Sequence, residues 1–281
     1  MPTSNHFRII SELVGISMAT ARIKYLIAKE PKRDYQMRPQ LHLILQSNTG
    51  SVKSTILREI SEAFNPFLDV NTNITMPSVV GTIDTKDKRI VPPVTWDCRN
   101  STLLLDEFKY TEKSELIAAM LQLLEGQQYT RRLGIFMFPI KKEDGDLFFK
   151  AKNGKIQIKT RFNMVMATMR SLDRAKSIDL QAFVNRTLLY PFRLTREELK
   201  EVAQGKHVLD IKKYDVPEKV IIEKNIYAKI LKEVDKSNVP ETDYLRAIGD
   251  CCRIYAVTKN PKLYRWAITI HSKEYKNTLR K

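Results

Sequence analysis

A short polar loop between two apolar segments carries residue types that bind phosphate. The apolar run Leu41–Leu45 predicts a buried strand, and Thr55–Phe64 has the pattern of a helix. Lys53 and Ser54 lie directly before that helix, where backbone N–H groups point at a bound phosphate. A lysine there reaches the β- and γ-phosphates of a nucleotide, and a hydroxyl ligates magnesium. The pattern predicts a site for ATP and Mg²⁺ formed by Ser47, Asn48, Thr49, Gly50, Ser51, Val52, Lys53, Ser54 and Thr55.

This loop has fewer glycines than phosphate loops usually contain. Ser47 stands at the position of the usual first glycine, and Val52 stands where a glycine often precedes the lysine. Only Gly50 remains, although glycines let the backbone approach the phosphates closely. A Lys-Ser pair at the start of an ordinary helix is therefore the alternative interpretation of the segment.

Two acids follow a second predicted strand. The apolar run Leu103–Leu105 ends in Asp106 and Glu107. Asp106 would hold magnesium through water, and Glu107 would orient or deprotonate the attacking water. The alternative is a solvated Asp-Glu pair without a catalytic role. The position of Asp106 and Glu107 after a Lys-Ser loop favours a site that hydrolyses ATP.

The charge of the chain indicates a polyanionic partner. The 281 residues carry a net charge of +16 at pH 7, and 43% of them are hydrophobic, enough to bury a core. Nucleic acid is the partner that we expect, and a basic surface that serves only solubility is the alternative. No apolar run would span a bilayer, residues 1–8 lack a secretory pattern, and the three cysteines have no metal-binding spacing. We expect no membrane partner and a cytoplasmic protein, associated with the nucleoid if the source is bacterial or archaeal.

The elements that must position these residues predict an α/β fold. Four apolar strands are expected, at Leu41–Leu45, Leu103–Leu105, Phe162–Ala167 and Thr187–Leu194. Helices are expected over 7–28, 55–64, 113–124 and 195–203, the last with a capping box at its start. Residues 75–94 have the pattern of a hairpin, with Val79, Val80 and Ile83 on one arm.

Residues 129–160 are rich in strand signals, and Asn153-Gly154 predicts a two-residue turn between 148–152 and 155–159. Residues 218–281 show only helical signals, with breaks at Val239-Pro240 and Asn260-Pro261. We therefore predict a nucleotide-binding core over 1–210, with hairpin insertions at about 75–94 and 129–160. A helical lid domain is expected over 211–281.

The order of these motifs resembles the AAA+ core of the MCM replicative helicases. That family's phosphate loop has the pattern G-D-P-G-T-A-K-S, and Ser47–Ser54 is similar to it. Asp106–Phe108 matches the family's D-E-F, and Leu124–Gln128 is similar to its M-E-Q-Q segment. The resemblance runs from about residue 7 to about residue 270. It implies a three-layer αβα P-loop core with a parallel sheet, a small all-α lid, and ATP and Mg²⁺ as cofactors.

The resemblance also gives roles to two arginines and a threonine. Asp179–Arg186 is similar to the family's D-L-P-x-A-L-L-S-R-F segment, so Arg186 is the candidate arginine finger, acting on a neighbouring subunit's nucleotide. An ordinary surface arginine is the alternative. Arg246 and Arg253 keep the seven-residue spacing of the family's sensor arginine and a second arginine, which implies that Arg246 contacts the nucleotide. The family's sensor asparagine is missing, and Thr168 would polarise water in its place.

Basic side chains interleaved with phenylalanines indicate where DNA would bind. Hairpins of such rings project into a central channel, and Phe148 and Phe149 next to Lys150 suit base stacking. A solvated hairpin with buried phenylalanines is the alternative, and 75–94, with Lys86, Lys88 and Arg89, is a second candidate. We expect sequence-independent contacts with single- or double-stranded DNA from Arg131, Arg132, Lys141, Lys142, Lys150, Lys152, Lys155 and Lys159.

The leading hypothesis is an ATP-driven DNA motor, an MCM-like helicase or translocase, or a replication initiator. It would work as a homo-oligomeric ring, with a hexamer as one candidate. The sequence has no counterpart of the family's N-terminal DNA-binding domain with its zinc module, and its pre-sensor hairpin is longer, which predicts a relative reduced to the motor. An assembly switch that binds DNA and hydrolyses ATP slowly is the alternative, favoured by Ser47, Val52 and the missing asparagine. A regulator that loads a partner protein is a third possibility.

Overall fold

The computed structural model describes residues 6–31, 33–48, 52–63, 69–71, 74–84, 86, 89–106, 114–133, 139–168, 178–205 and 209–278. The helices in these ranges are α1 (His6–Thr20), α2 (Lys53–Ala63), α3 (Met76–Val80), α4 (Val94–Asp97), α5 (Ser114–Leu124), α6 (Ile178–Val184), α7 (Arg196–Ala203), α8 (Lys224–Asp235), α9 (Tyr244–Thr258), α10 (Pro261–His271) and α11 (Lys273–Thr278), with a 3₁₀ turn at Glu241–Asp243. The strands are β1 (Tyr25–Lys29), β2 (Asp34–Met37), β3 (His42–Gln46), β4 (Asp69–Asn71), β5 (Thr82–Asp84), β6 (Arg89–Val91), β7 (Thr102–Leu105), β8 (Tyr129–Arg132), β9 (Ile140–Asp144), β10 (Leu147–Lys152), β11 (Lys155–Lys159), β12 (Asn163–Thr168), β13 (Thr187–Pro191) and β14 (Lys219–Ile222).

A parallel sheet forms the centre of the fold, with the strand order β13-β3-β12-β7-β4. Its strands are apolar on both faces because helices cover both. Leu43 and Leu45 pack in the cluster that contains residues of α1 and α2, while Ile44 packs in the cluster that contains residues of α5 and α6. The prediction of an α/β fold with a parallel sheet is confirmed.

A four-stranded antiparallel sheet with the order β8-β11-β10-β9 lies over the second cluster. Its central turn is the predicted one: Asn153 and Gly154 have φ of 52° and 70°, the left-handed values that a type I′ turn requires. Phe149 is fully buried, and a Cβ on Gly81 would lie 2.9 Å from its ring, so this glycine lets the chain pass close to the sheet.

Three sequence predictions are wrong in part. The helix predicted over 7–28 ends at Thr20, and Tyr25–Lys29 forms β1 instead. Val79 and Val80 belong to α3, so the predicted hairpin consists only of β5 and β6. Residues 218–281 are not purely helical, because Lys219–Ile222 pairs in parallel with β1. β1, β5, β6 and β14 each have five residues or fewer. Each is stabilised by hydrogen bonds to a partner strand, and local periodicity does not show which segments pair.

The segment after residue 209 packs on elements from the start of the chain. β14 pairs with β1, and α9 contacts α1, so residues from both ends share one hydrophobic cluster. The division into a core and a lid near residue 210 stays a prediction. The predicted breaks at Val239-Pro240 and Asn260-Pro261 separate α8, α9 and α10 as expected. In the described part of the chain, no helix is both long and apolar enough to cross a membrane.

The buried helix α1 leaves no room for a side chain at Gly15. A Cβ at this position would lie 2.5 Å from the backbone oxygen of Lys212. We expect Gly15→Ala to lower the free energy of unfolding by about 1–3 kcal/mol, although alanine favours a helix, because backbone must move to accommodate the methyl group.

Gly249→Ala in α9 is the matched control for Gly15→Ala. The three atoms nearest to its Cβ would all belong to the guanidinium of Arg253, the first at 3.0 Å, and the end of a side chain moves more easily than backbone. Urea denaturation of the two variants measures the difference. An equal loss for both would show that the contact with Lys212 does not limit the packing of α1.

Candidate nucleotide site and arginine cleft

Three neighbouring strands of the central sheet end at one edge and bring the predicted nucleotide residues together. β12 lies between β3 and β7, and the register pairs Thr168 with Gln46. Ser47 follows β3, Asp106 follows β7, and Thr168 is the last residue of β12. The backbone N–H of Ser47 donates to the carbonyl of Thr168 at 3.2 Å, which joins two of these strand ends directly. Ligands of open α/β sheets bind at this carboxyl edge.

The ammonium group of Lys53 lies against the predicted phosphate loop. It donates to the carbonyl oxygens of Ser47 at 2.9 Å and Asn48 at 2.6 Å, and the residue is only 7% exposed. Lys53 is the first residue of α2, and Ser54 follows it in the exposed first turn of the helix. The described residues on the two sides of this loop, Ser47, Asn48 and the start of α2, are therefore close enough to contact one phosphate.

Val52 has a backbone conformation that suits glycine. Its φ is 55°, in the left-handed region, which is an outlier for a β-branched residue and costs about 1–3 kcal/mol. The carbonyl of Val52 accepts the N–H of Ile56 at 2.9 Å, so this residue begins the hydrogen-bonding pattern of α2. Val52 therefore has a backbone geometry typical of glycine although its side chain is branched.

Two buried oxygens at this edge have no hydrogen-bond partner among the described residues. They are Oγ of Ser47 and Oδ1 of Asp106. A buried polar atom without a partner is costly, and a ligand that supplies the missing partner removes that cost. A carboxylate oxygen suits Mg²⁺ or its water, and a hydroxyl suits a phosphate oxygen. The residues present fit a magnesium nucleotide; Thr49, Gly50, Ser51 and Glu107 lie outside the described residues.

The candidate arginine finger, Arg186, and the candidate sensor arginine, Arg246, lie at the opposite edge of the sheet. Arg186 directly precedes β13, and the register pairs Thr187 with His42 at the start of β3. Arg246 donates to the carbonyls of Val184 and Thr187, both at 3.1 Å. The five residues of β3 separate this edge from Ser47 by roughly 16 Å. The structure therefore brings Arg246 to Arg186 and not to Lys53.

These residues line a cleft of about 580 Å³, which we call the arginine cleft. Its wall contains four arginines and two carboxylates, together with Tyr35, Gln127, Asn185 and Leu245; the charged residues are Arg38, Arg186, Arg246, Arg253, Glu125 and Asp250. Arg38 lies in no sequence motif. Arg246 and Arg253, which are seven residues apart, both lie on α9 and line this cleft.

Ion pairs hold three of the four arginines. Arg186 pairs with Glu125 at 2.6 Å. Arg246 pairs with Asp243 at 2.5 Å, and Arg253 pairs with Asp250 at 2.7 Å.

Asp250 connects the cleft to the buried His271 of α10. Oδ2 of Asp250 lies 2.9 Å from Nε2 of His271. Burial alone would raise the pKa of Asp250, but the hydrogen bond with His271 and the charges of Arg253 and Arg246 outweigh it and hold the pKa well below its usual range. Asp250 therefore stays ionised and fixes Arg253 at neutral pH.

The antiparallel sheet separates the predicted DNA-binding residues into two sets. Burial alternates along β10 and β11, and the register aligns Lys152, Lys155 and Arg132 across three strands. Arg131 and Lys142 pair with the buried Ile156 and Phe149, so they belong to the opposite side. We call the outward side the basic face; its cations are Arg132, Lys141, Lys150, Lys152, Lys155 and Lys159.

Some cations of the basic face already have partners. The ammonium of Lys150 lies 4.2 Å from the ring centroid of Phe148, and Glu143 pairs with both Lys150 and Lys141. The row of Lys152, Lys155 and Arg132 has no ion-pair partner within the described ranges. Like charges directly opposite each other destabilise a sheet, so this row favours a bound polyanion. In the second candidate hairpin Arg89 pairs with Asp84 at 3.7 Å, and Lys88 lies outside the described residues.

No protein-family model matches this chain, and a search of curated proteins returns no match either. The described residues contain no group of three or more His, Cys, Asp and Glu side chains that would hold a metal ion by themselves. A magnesium site at Asp106 would not need such a group of protein ligands, because phosphate and water would supply most of the ligands.

Substitution of Val52 tests whether its left-handed backbone limits the binding of ATP. We expect Val52→Gly to bind ATP more tightly than Val52→Ala, because glycine adopts the left-handed backbone without strain and lets the chain approach the phosphates. Thermal unfolding and titration with a fluorescent ATP analogue measure both properties. The Val52→Gly variant should also unfold at the same temperature as the Val52→Ala variant, or at a higher one. A lower unfolding temperature and weaker binding for the glycine variant would show that the valine side chain, and not the backbone angle, determines the loop.

Proposed function

We propose that this chain is a P-loop ATPase of the AAA+ type that binds ATP with Mg²⁺ at the carboxyl edge of its central sheet. One observation carries the proposal: Asp106 presents a buried oxygen without a hydrogen-bond partner at the same edge as the loop that holds Lys53. The left-handed backbone at Val52 supports it, because a chance Lys-Ser pair would not require that conformation.

Each residue of the site has a separate task in this proposal. Lys53 contacts the β- and γ-phosphates, while Ser54 and Asp106 hold magnesium, which neutralises phosphate charge when it is bound. Glu107 orients the attacking water. Thr168 is buried at the strand end beside the loop, where its hydroxyl replaces the sensor asparagine of the MCM-like pattern.

The nucleotide lies between two copies of the chain in this proposal. Arg186 and Arg246 lie roughly 16 Å along β3 from the loop of their own chain, so a phosphate on that loop is beyond their reach. In a homo-oligomeric ring, the arginine cleft of one copy faces the phosphate loop of the next. An arginine supplied in this way stabilises the charge of the transition state.

DNA is the proposed partner of the basic face. Its unpaired row of cations neutralises phosphates, and Phe148 beside Lys150 offers a ring for base stacking. Hydrolysis would then move this face relative to DNA, as in an MCM-like helicase, translocase or replication initiator.

A slow ATP-dependent assembly switch is the second candidate. The strained Val52 and the threonine at the sensor position favour it, since both depart from an efficient hydrolytic site. Glu107→Gln distinguishes the two functions. A motor loses turnover in this variant, whereas a switch has no turnover above the variant but assembles on DNA when ATP is added.

Turnover of ATP tests the proposed site. We expect Lys53→Ala to abolish hydrolysis, because the ammonium no longer neutralises the phosphates, and single-stranded DNA to raise the wild-type rate. Release of inorganic phosphate, with and without DNA, measures both effects. Lys262→Ala, an exposed lysine of α10, is the control and should keep the wild-type rate. Equal rates for wild type and Lys53→Ala would refute the assignment of the loop.

The division of the basic residues predicts which of them contact DNA. The double variant Arg132→Ala, Lys155→Ala should weaken binding of oligo(dT), and the slope of log affinity against log salt should fall by roughly 1.4, because two phosphate contacts are lost. The double variant Arg131→Ala, Lys142→Ala removes the same charge from the opposite side and should change the slope little. Fluorescence anisotropy over a salt series measures both. A larger fall in the slope for the variant of Arg131 and Lys142 than for the variant of Arg132 and Lys155 would place DNA on the other side of the sheet.

A further inference from the structure

A cavity of about 690 Å³ lies on the basic face, next to the turn between β10 and β11. Its wall is formed by these two strands, by β9 and by the residues beside them: Pro139, Ile140, Lys141, Lys150, Ala151, Lys152, Asn153, Lys155 and Gln157. The register pairs Lys150 with both Lys141 and Gln157. Lys152 pairs with Lys155 two residues further along β10. Side chains from two successive rows of the sheet, about 7 Å apart, therefore enclose the cavity.

Two amide side chains in this wall, those of Gln157 and Asn153, have no hydrogen-bond partner within the described ranges. Gln157 is half-buried in the middle of β11, whereas Asn153 is exposed at the turn. An amide donates through its nitrogen and accepts through its oxygen, while a lysine only donates. The cavity therefore contains one sheltered amide that suits a ligand with a donor and an acceptor side by side.

The side of the cavity across from Gln157 is apolar. Pro139 directly precedes β9, and the half-buried Ile140 is the first residue of that strand. β10 lies between β9 and β11, so the apolar wall and the amide belong to strands that are about 10 Å apart. A flat ring that enters between them would contact the wall and direct its polar edge towards the amide.

Positive charge surrounds the cavity, and part of it is unpaired. Lys141 and Lys150 both form ion pairs with Glu143. Lys152 and Lys155 have no ion-pair partner in the described part of the chain. A ligand in the cavity thus meets an apolar wall, an unsatisfied amide and unpaired cations at one place. A phosphate or a carboxylate alone would leave the acceptor oxygen of Gln157 without a donor.

We infer that this cavity binds one unpaired nucleobase of a single-stranded nucleic acid, with Gln157 at the polar edge of the base. The inference rests on the proposed DNA partner of the basic face and adds to it a contact that depends on the base. Nucleobases carry donors and acceptors side by side on their Watson–Crick edge, where an amide pairs with them. In a duplex this edge is paired, so a base would have to leave the stack to enter the cavity. Lys152 and Lys155 bind the neighbouring phosphates.

An oligonucleotide without bases separates base contacts from phosphate contacts. Wild type should bind oligo(dT) about tenfold more tightly than an abasic oligonucleotide of equal length, because stacking and pairing of bases add to the affinity. Gln157→Ala should weaken the binding of oligo(dT) about fivefold and leave the binding of the abasic oligonucleotide and the salt slope unchanged. Fluorescence anisotropy without ATP measures these affinities. Gln36→Ala, at an exposed glutamine of β2, is the control and should behave like wild type.

Gln157→Lys separates pairing with the base from charge. Lysine adds a cation at the same place but has no acceptor. This variant should bind the abasic oligonucleotide more tightly than wild type does, and its preference for oligo(dT) over the abasic oligonucleotide should be smaller than that of wild type. If the cavity acted through charge alone, Gln157→Lys would tighten the binding of both oligonucleotides equally, and Gln157→Ala would weaken neither. Either result would overturn the inference.

A duplex and a free nucleotide test which form of nucleic acid supplies the base. Gln157→Ala should leave the affinity for a duplex unchanged, because the bases of a duplex are already paired. An equal loss of affinity for the duplex and for oligo(dT) would place the amide on the phosphate backbone and contradict the inference. dTMP should not displace oligo(dT) at an equal concentration, because it lacks the neighbouring phosphates. Displacement would assign the cavity to a free nucleotide, and the inference of a strand would be wrong.

These measurements are independent of the proposed ATPase, since none of them uses ATP. If wild type does not bind oligo(dT), this inference and the DNA partner both fail, whereas the loss of turnover in Lys53→Ala would still support the phosphate loop. If the abasic oligonucleotide binds as tightly as oligo(dT) while the variants of the two sides of the sheet differ in salt slope, the DNA partner stands and only the base site is wrong. Gln157→Ala should unfold at the temperature of wild type. A lower unfolding temperature with weaker binding of both oligonucleotides would show that Gln157 serves the fold, which would also overturn the inference.

Discussion

The position of β12 between β3 and β7 is the constraint on which the candidate nucleotide site depends. β12 is buried along its whole length and pairs in parallel on both sides, so its register fixes where the two neighbouring strands end. Ser47, Thr168 and Asp106 become neighbours for this reason alone, although more than 100 residues separate the first from the second. A shift of the register by one residue would turn every buried side chain of β12 to the other face of the sheet. Packing on both faces therefore fixes the geometry of the site.

The direction of the same sheet separates its charged groups. The phosphate loop and the acid lie at the carboxyl edge, while the arginine cleft lies at the amino edge, about 16 Å away along β3. Three of the four arginines have acid partners within the chain, and these pairs hold them at the surface of the cleft. In the proposed ring, copies that meet head to tail would place the arginine cleft of one copy beside the loop of the next.

Several local features of the chain oppose stability and lie at these two edges. Val52 has a strained backbone. Among the described residues, the buried Oγ of Ser47, Oδ1 of Asp106 and Nε of Arg38 have no hydrogen-bond partner. Departures from the rules of folding are expected where a protein binds a ligand, because the ligand supplies the missing interaction.

The sequence by itself determined the features that depend on neighbouring residues. The apolar strands, the Asn153-Gly154 turn and the capping box at Thr195 follow from local periodicity and backbone preference, and all three are present. The short strands β1 and β14 were missed because their stability comes from pairing with each other across almost 200 residues.

Only the tertiary structure decided which charges face the same way. Register placed Arg132 and Arg131 on opposite sides of one sheet, and sheet polarity placed Arg246 with Arg186 and away from Lys53. Arg38 lies in no motif, and only the fold brings it into contact with Arg186 and Arg253. Charge compensation depends on distances between segments that are far apart in the chain, and no local pattern contains those distances.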